Sequence, residues 1–288
     1  MANGVAELHL TEEGGEPPAV LAAGSAPGEH GLAVFKVRFR GGVHLGATTP
    51  RRHLVWFQLS DAFVECRRER RIFRETVPGG SLAICVAGVD CSADAEQSTD
   101  VVLVAIDPCH LALAAADDSA LGAQLNECMS GRDAELLQLA CILASECSEN
   151  YPNGALYWSG VANRFLEGLV VRHTSEFKDP RRGSLTKDVL GRIRDYIIAH
   201  LDESIEVTAL ASIAGRSPFH FTRVFARTVG VTPHRYVVHL RLQRATALIR
   251  HGRSGFAEIA VGTGFADQSH LARWVRRLRG VSLTQLAS

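Results

Sequence analysis

Nine side chains near the C-terminal end have the types and spacing that suit contact with nucleic acid. Phe219, Thr222, Arg223 and Arg227 lie in one stretch, and Gln268, Ser269, Arg273, Arg276 and Arg277 in another. An arginine can donate two hydrogen bonds to guanine, a glutamine can pair with adenine, and threonine or phenylalanine can touch a thymine methyl. Residues near the start of a helix that enters the major groove reach base edges, while basic residues further along grip phosphate, which positions without specifying. Phe219, Thr222, Arg223, Gln268, Ser269 and Arg273 are therefore expected to read bases, and Arg227, Arg276 and Arg277 to bind phosphate. His220 and His270 sit near the same helix starts, where capping, packing and phosphate contact are all open to them.

The elements that must hold these residues announce themselves as a near-repeat. Ala211-x-x-x-Gly215, His220, Arg223 and Gly230-Val-Thr-Pro233 recur as Ala260-x-x-x-Gly264, His270, Arg273 and Gly280-Val-Ser-Leu283. The offset is 49 residues at the alanines and 50 from the histidines on, so the second turn holds one extra residue. Each copy reads as a short helix, a glycine-bearing turn and a second helix with polar and basic residues outside, which is a helix-turn-helix. Ser217-Pro218 is a helix start, with Ser as N-cap and Pro first in the helix. Phe221, Val224 and Phe225 should then pack on Leu210 and on Ala211, which is small where the two helices cross. In the second copy Asp267 is the expected cap, with Leu271, Val275 and Leu278 inward. An amphipathic helix, Val189 to Leu201, precedes the first copy, and a long helix from His234 to about Arg250 joins it to the second.

Residues 186–288 resemble the DNA-binding domain of the AraC/XylS-type transcriptional regulators. The matching residues include Tyr196-Ile197, Leu210-Ala211, Gly215-x-Ser217, His220-Phe-x-Arg223-x-Phe225 and Gly230-x-Thr-Pro233-x-x-Tyr236. Arg241-Leu-x-x-Ala245, Glu258-Ile-Ala260 and Gly264-Phe265-x-Asp267-Gln-Ser-His270-x-x-Arg273 continue the match. The resemblance implies two helix-turn-helix units on a rigid linker helix, reading successive major-groove faces of double-stranded DNA. It also implies an activator that works with RNA polymerase, with repression as the alternative, and a homodimer that would cover two such sites. The chain departs from the family near its end, with Val275, Arg279 and Leu283 where Phe, Phe and Pro are usual; Trp274 is a candidate to fill the missing volume.

Composition agrees with a basic head on an acidic body. The 288 residues are 46% hydrophobic and 22% charged with a formal net charge of zero, ordinary values for about two globular domains. From Thr186 on there are 15 Lys+Arg against 7 Asp+Glu, a net of +8, which leaves −8 on the first 185 residues. That asymmetry points to polyanion binding at the C-terminal end. No apolar run is long enough to span a membrane and no signal pattern opens the chain, so the expected compartment is the cytoplasm.

Residues 1–28 are rich in Gly, Ala, Pro and Glu and read as a mobile arm. From Leu32 to Leu113 short strand-like runs alternate with turns such as Pro78-Gly79-Gly80, which suggests a small β-barrel or sandwich over 29–115. The strings Leu54 to Leu59, Pro78-Gly-Gly-Ser-Leu-Ala-Ile84, Ala87-Gly88 and Ile106-Asp-Pro108 resemble the cupin-like sensor barrel attached to many of these regulators. The resemblance implies a pocket for a small-molecule effector, or a dimerising barrel; no residue identifies the effector. Residues 116–173 read as a helical pair, with Leu121, Leu125, Leu136, Leu137, Leu139, Ala140 and Leu143 on one apolar face and Val161, Phe165, Leu166 and Leu169 on another. It would complete the core or form a dimer seam. Residues 174–185 read as a linker.

Nothing in the first half points to catalysis. Metal-dependent cupins use a His-x-His pair, whereas His30, His44 and His53 stand alone, so neither a catalytic metal nor a cofactor is expected. The seven cysteines all lie between 66 and 147 and form no Cys-x-x-Cys pair. They suit buried free thiols in a reducing compartment, with a thiol or soft-metal sensor as the alternative. The expected fold class is thus α+β in two domains: an N-terminal cupin-like barrel with a helical hairpin, and a C-terminal all-α domain with two helix-turn-helix units.

Overall fold

The computed structural model describes residues 10–11, 19–25, 31–39, 43–47, 52–68, 71–89, 91–117, 123–175, 184–252, 254–279 and 281–287. It divides into two units, one built on residues 30–110 and 125–174, the other on 111–124 and 175–288.

The first unit is strand-rich. In chain order it runs β1 (Leu10–Thr11), β2 (Ala19–Ser25), β3 (Leu32–Phe39), β4 (Val43–Ala47), β5 (His53–Gln58), β6 (Ala62–Arg68), β7 (Arg71–Val77), β8 (Ser81–Cys85), β9 (Cys91–Ala95) and β10 (Thr99–Ile106). Helix α1 (Pro108–Asp117) follows, then β11 (Gln124–Leu125), β12 (Cys128–Arg132), α2 (Ala134–Ser148), α3 (Gly154–His173) and β13 (Thr174–Ser175). The strands pair as a six-stranded sheet, β12-β8-β5-β10-β3-β2, and a five-stranded sheet, β1-β4-β9-β6-β7, with β11 beside β13. A small barrel or sandwich was expected; among the described residues the strands form two separate sheets and no closed barrel is found.

The inner strands β3, β5, β8 and β10 of the six-stranded sheet are buried on both faces, which is why β10 is an unbroken apolar run rather than an alternating one. On one face Phe35, Val37, Leu54, Leu103 and Ala105 form a core with half-buried Trp56. Leu103 stands between Phe35 and Trp56 in register, and Ala105 between Ala33 and Leu54. The other face, including Val55, Phe57 and Val104, is covered by the helical pair: the Phe57 and Phe165 rings meet edge-on at 6.2 Å. Leu136, Leu139, Ala140 and Leu143 of α2 are buried in the same layer. Asp133 caps α2 by accepting from the Leu136 amide (3.0 Å) and also accepts from Arg172 (2.7 Å) at the end of α3. Burial opposes ionisation of this carboxyl, but the bonds from Arg172, Leu136 and His173 outweigh it and hold Asp133 below the usual carboxylate range.

Three sequence expectations need correction. Residues 19–25, read as part of a mobile arm, are the strand β2 paired along β3; their alternation is weak because Gly24 and three alanines dilute it. Helix α1 starts at Pro108, inside the span to Leu113 that was expected to be strand-like: Asp107 accepts from the Cys109 amide (2.8 Å) and the alanines that follow favour a helix. The helical pair does not begin at 116, because residues 124–132 form β11 and β12, with Leu125 buried in a strand. Leu121 and most of the arm and linker expectations lie outside the described residues, although 174–175 are strand and Leu185 is buried.

From residue 184 on, the described residues of the second unit form helices only: α4 (Lys187–Ala199), α5 (Val207–Ile213), α6 (Pro218–Val229), α7 (Pro233–His251), α8 (Phe256–Gly262), α9 (Gln268–Arg279) and α10 (Leu283–Ala287). Helix α7 is the spine, packing against α4, α6, α8, α9 and α10. Thr232-Pro233 starts it, with the Thr232 hydroxyl accepting from the Arg235 amide (3.4 Å). Ser282 and Gln285 close the start of α10 as a reciprocal capping box. No helix among the described residues is long and apolar enough to cross a membrane.

Candidate nucleic-acid interface

The two predicted reading helices are α6 and α9, and each is the second helix of a helix-turn-helix with α5 or α8. The turns are built alike. After Ala211 the Arg216 amide donates back to the Ala211 carbonyl (3.0 Å), and after Ala260 the Phe265 amide donates to the Ala260 carbonyl (2.9 Å). Gly215 and Gly264 sit inside these turns at φ +62° and +80°, a conformation that only glycine adopts freely. Ala211 and Ala260 are buried, consistent with close helix crossing.

In α6, Phe221, Val224, Phe225 and Val229 are buried, and Phe225 packs between Phe221 (5.4 Å between ring centroids) and Tyr236 (5.7 Å). The opposite face carries the predicted residues. Phe219 is 74% exposed, the most exposed large apolar side chain described, and the Arg223 guanidinium lies 5.8 Å from its ring centroid. Exposed Arg223 and Arg227 follow. Thr222 is half-buried, and its hydroxyl donates to the Pro218 carbonyl (2.9 Å), which leaves its methyl as the outward group. Ser217 occupies the cap position, but its side chain makes no capping bond. Sequence reasoning missed Arg216, half-buried in the turn, whose guanidinium bonds the His220 ring (2.9 Å). A basic residue four positions before the histidine was the available signal.

In α9, Leu271 and Val275 are fully buried; the side chains of Leu278 and Arg279 lie outside the described residues. Gln268, Ser269, Arg273, Arg276 and Arg277 are all exposed. Asp267 caps the helix as expected, accepting from the His270 amide (2.6 Å). Of the roles open to His270 the structure shows packing: its ring accepts from the Trp274 indole N–H (3.0 Å) and meets Phe265 edge-on (5.5 Å). Trp274 is half-buried beneath Arg277, 5.5 Å from its guanidinium, and so lies at the surface. Phe265, in the turn, is buried.

Within the second unit, the connection after α4 is tied to α7. Arg241, midway along α7, donates to the carbonyls of Leu201 (2.9 Å) and Glu203 (2.6 Å), just beyond the end of α4. Burial lowers its pKa, against the opposing influence of Asp202.

His53 is half-buried and accepts from the Ala87 amide (3.0 Å); desolvation pushes its pKa down to about 4, against the pull of Asp107. The described cysteines are free thiols, and burial pushes the Cys147 thiol up despite hydrogen bonds with Trp158 and Tyr151.

Comparison with known proteins bears on the second unit. Residues 210–288 match the family model described as a helix-turn-helix domain. A probable transcriptional regulator of Photobacterium leiognathi, LumQ, is 34% identical over 153 residues, which is 53% of this chain and 60% of that protein. The transcriptional activator RhaS of Escherichia coli is 27% identical over 113 residues, 39% of this chain and 40% of that protein. The chain thus spans 60% or less of the length of these curated relatives. The crystal structure of a Chromobacterium violaceum regulator with an AraC-type DNA-binding domain is similar at 22% identity and a TM-score of 0.34, over 35% of this chain and 90% of that one.

Proposed function

We propose, from the premise that the chain carries an AraC-type helix-turn-helix domain at its C-terminal end, that it is a sequence-specific DNA-binding transcriptional regulator. The observation that carries this reading is the pairing of α6 and α9. At repeat-related positions each helix buries one face and exposes groups suited to base edges and phosphates. Phe219, Thr222, Arg223, Gln268, Ser269 and Arg273 read bases in this proposal, and Arg227, Arg276 and Arg277 bind phosphate. The relatives are named as transcriptional regulators and activators, which supports regulation rather than catalysis.

The strand-rich unit is the sensor in this proposal, a cupin-like domain that answers a small-molecule effector in the cytoplasm. The effector acts by favouring one arrangement of the reading heads, to the extent of its differential affinity for it. Activation through RNA polymerase, by a chain working as a homodimer, is the proposed direction, in keeping with the name of RhaS. The raised pKa of half-buried Cys147 weighs against the alternative of a thiolate sensor there.

The test is selection of bound duplexes from a random-sequence DNA pool with the full chain. Two enriched boxes about one helical turn apart are expected, with affinity falling steeply as salt rises. A pool that stays random with the full chain and with residues 186–288 alone would rule the reading out.

A further inference from the structure

The contact around Arg241 has a function beyond holding helices together. The guanidinium binds two carbonyls in the connection after α4, at Leu201 and Glu203, and these bonds cross from the entrance of the first helix-turn-helix to the helix that leads into the second. The far side of the same contact is the turn of the second unit. A Cβ on Gly264 would overlap the Leu201 carbonyl oxygen and would lie 2.5 Å from Arg241 Nε. Leu201, Arg241 and Gly264 therefore form one three-way contact. It joins the segment before α5, the middle of α7 and the α8–α9 turn.

The repeat-related turn of the first unit has no such role. Gly215 has the same left-handed backbone, yet a Cβ built there meets nothing within 4 Å. Local turn geometry accounts for glycine at both places. Only at Gly264 is the missing side chain also the socket into which another part of the domain fits.

We propose that Arg241 is a positioning residue that sets the spacing at which the two reading helices engage DNA, by clamping the Leu201 carbonyl against the Gly264 turn. The inference rests on the two-headed reading given above. Each head is aimed by its own turn; their mutual offset is fixed by α7 and by this clamp. An arginine suits the task because one planar group reaches two carbonyls at a fixed angle, which a lysine cannot reproduce. Loosening the clamp leaves each reading face intact and lets the second head sample neighbouring positions along the groove.

The experiment compares wild type, Arg241→Met, Arg241→Lys, Gly264→Ala and Gly215→Ala as full chains. Each is incubated with the same random-sequence duplex pool, and the distance between the two boxes is read from the bound sequences. Wild type is expected to favour one spacing over its neighbours by about tenfold or more, the scale of losing one good set of base contacts. Arg241→Met and Gly264→Ala should enrich the same two boxes with that preference reduced to within about threefold, while binding to a duplex with the first box alone stays within about twofold of wild type. Arg241→Lys should fall between them. Gly215→Ala, which carries the backbone strain without the contact, should keep the sharp wild-type spacing. General destabilisation would weaken single-box and two-box binding together, so the spacing ratio separates positioning from folding. Should Arg241→Met fail to fold, Gly264→Ala read against Gly215→Ala carries the same test. A wild-type pool with one spacing and an Arg241→Lys or Gly264→Ala pool with the same sharp spacing overturns this inference alone. A wild-type pool with a single box overturns the two-headed reading and this inference with it.

Discussion

The two helix-turn-helix units follow one backbone plan but fill it with different materials. In the first, Phe221, Phe225 and Tyr236 make a chain of aromatic contacts beneath α6. At the positions 50 residues on, the second has Leu271, Val275 and Leu286, all buried and all aliphatic. Its buried aromatic, Phe265, stands instead in the turn, 49 residues after Arg216. The turns show the opposite pattern: the same back-bonds and left-handed glycines in both. Turn geometry is set by backbone hydrogen bonds and sterics that few residue types satisfy, whereas a core accepts several solutions of similar volume.

The largest expected difference between the units follows from those cores. Phe225→Ala should cost about 3–5 kcal/mol and Val275→Ala only about 2 kcal/mol, since a smaller side chain leaves a smaller cavity. Chemical denaturation, with amide exchange in α6 and α9 to locate the loss, measures both; equal losses would mean that α9 is packed as tightly as α6. Next come the turns. Gly215→Ala should cost about 1–2 kcal/mol from left-handed strain, and Gly264→Ala distinctly more, because it also displaces the Leu201 carbonyl. A Gly215 variant as unstable as the Gly264 one would erase that asymmetry.

On DNA the units should behave more alike. Arg223→Ala and Arg273→Ala are each expected to lose about 1–3 kcal/mol of binding to a selected duplex and to relax preference in one box only. Titrations against duplexes mutated in one box at a time check this, and unchanged selectivity in both variants would contradict the assigned faces. The smallest contrast lies at the caps. Asp267→Ala removes a real bond to the His270 amide and should cost about 1 kcal/mol, while Ser217→Ala, with no such bond to lose, should be close to neutral in thermal unfolding. A clear loss at Ser217 would show that its hydroxyl caps α6 in solution.

Much of the second unit was legible because its signals are local. Ser217-Pro218 marks the start of α6, Asp267 that of α9, and the long helix expected from His234 to about Arg250 is α7, Pro233–His251. The outward positions of Phe219, Arg223, Gln268, Ser269, Arg273 and Arg276 follow from the same periodicity. What sequence could not give is long-range. The bonds of Arg241 to carbonyls 40 and 38 residues away have no local signature. In the first unit β10 was legible as a fully buried strand, but the grouping of strands into two sheets depends on registers between distant segments. The strands β2, β11 and β12 escaped for a further reason. They are short or rich in Gly, Ala and Ser, and only pairing with a neighbour makes them strands.

The residue by which the second unit exceeds the first lies before α9 rather than within it. Inside a helix, one inserted residue would turn everything beyond it by about 100° and carry Arg273 and Arg276 round to the side of the cylinder. Placed ahead of Asp267, it is absorbed before the helix begins, because the bond from the His270 amide to the Asp267 carboxylate fixes where the first turn starts. The cap thus resets the angular phase of the helix. Upstream, the loop can lengthen without rotating the chemistry that α9 presents, so Ser269 and Arg273 keep the phase that Phe219 and Arg223 have in α6.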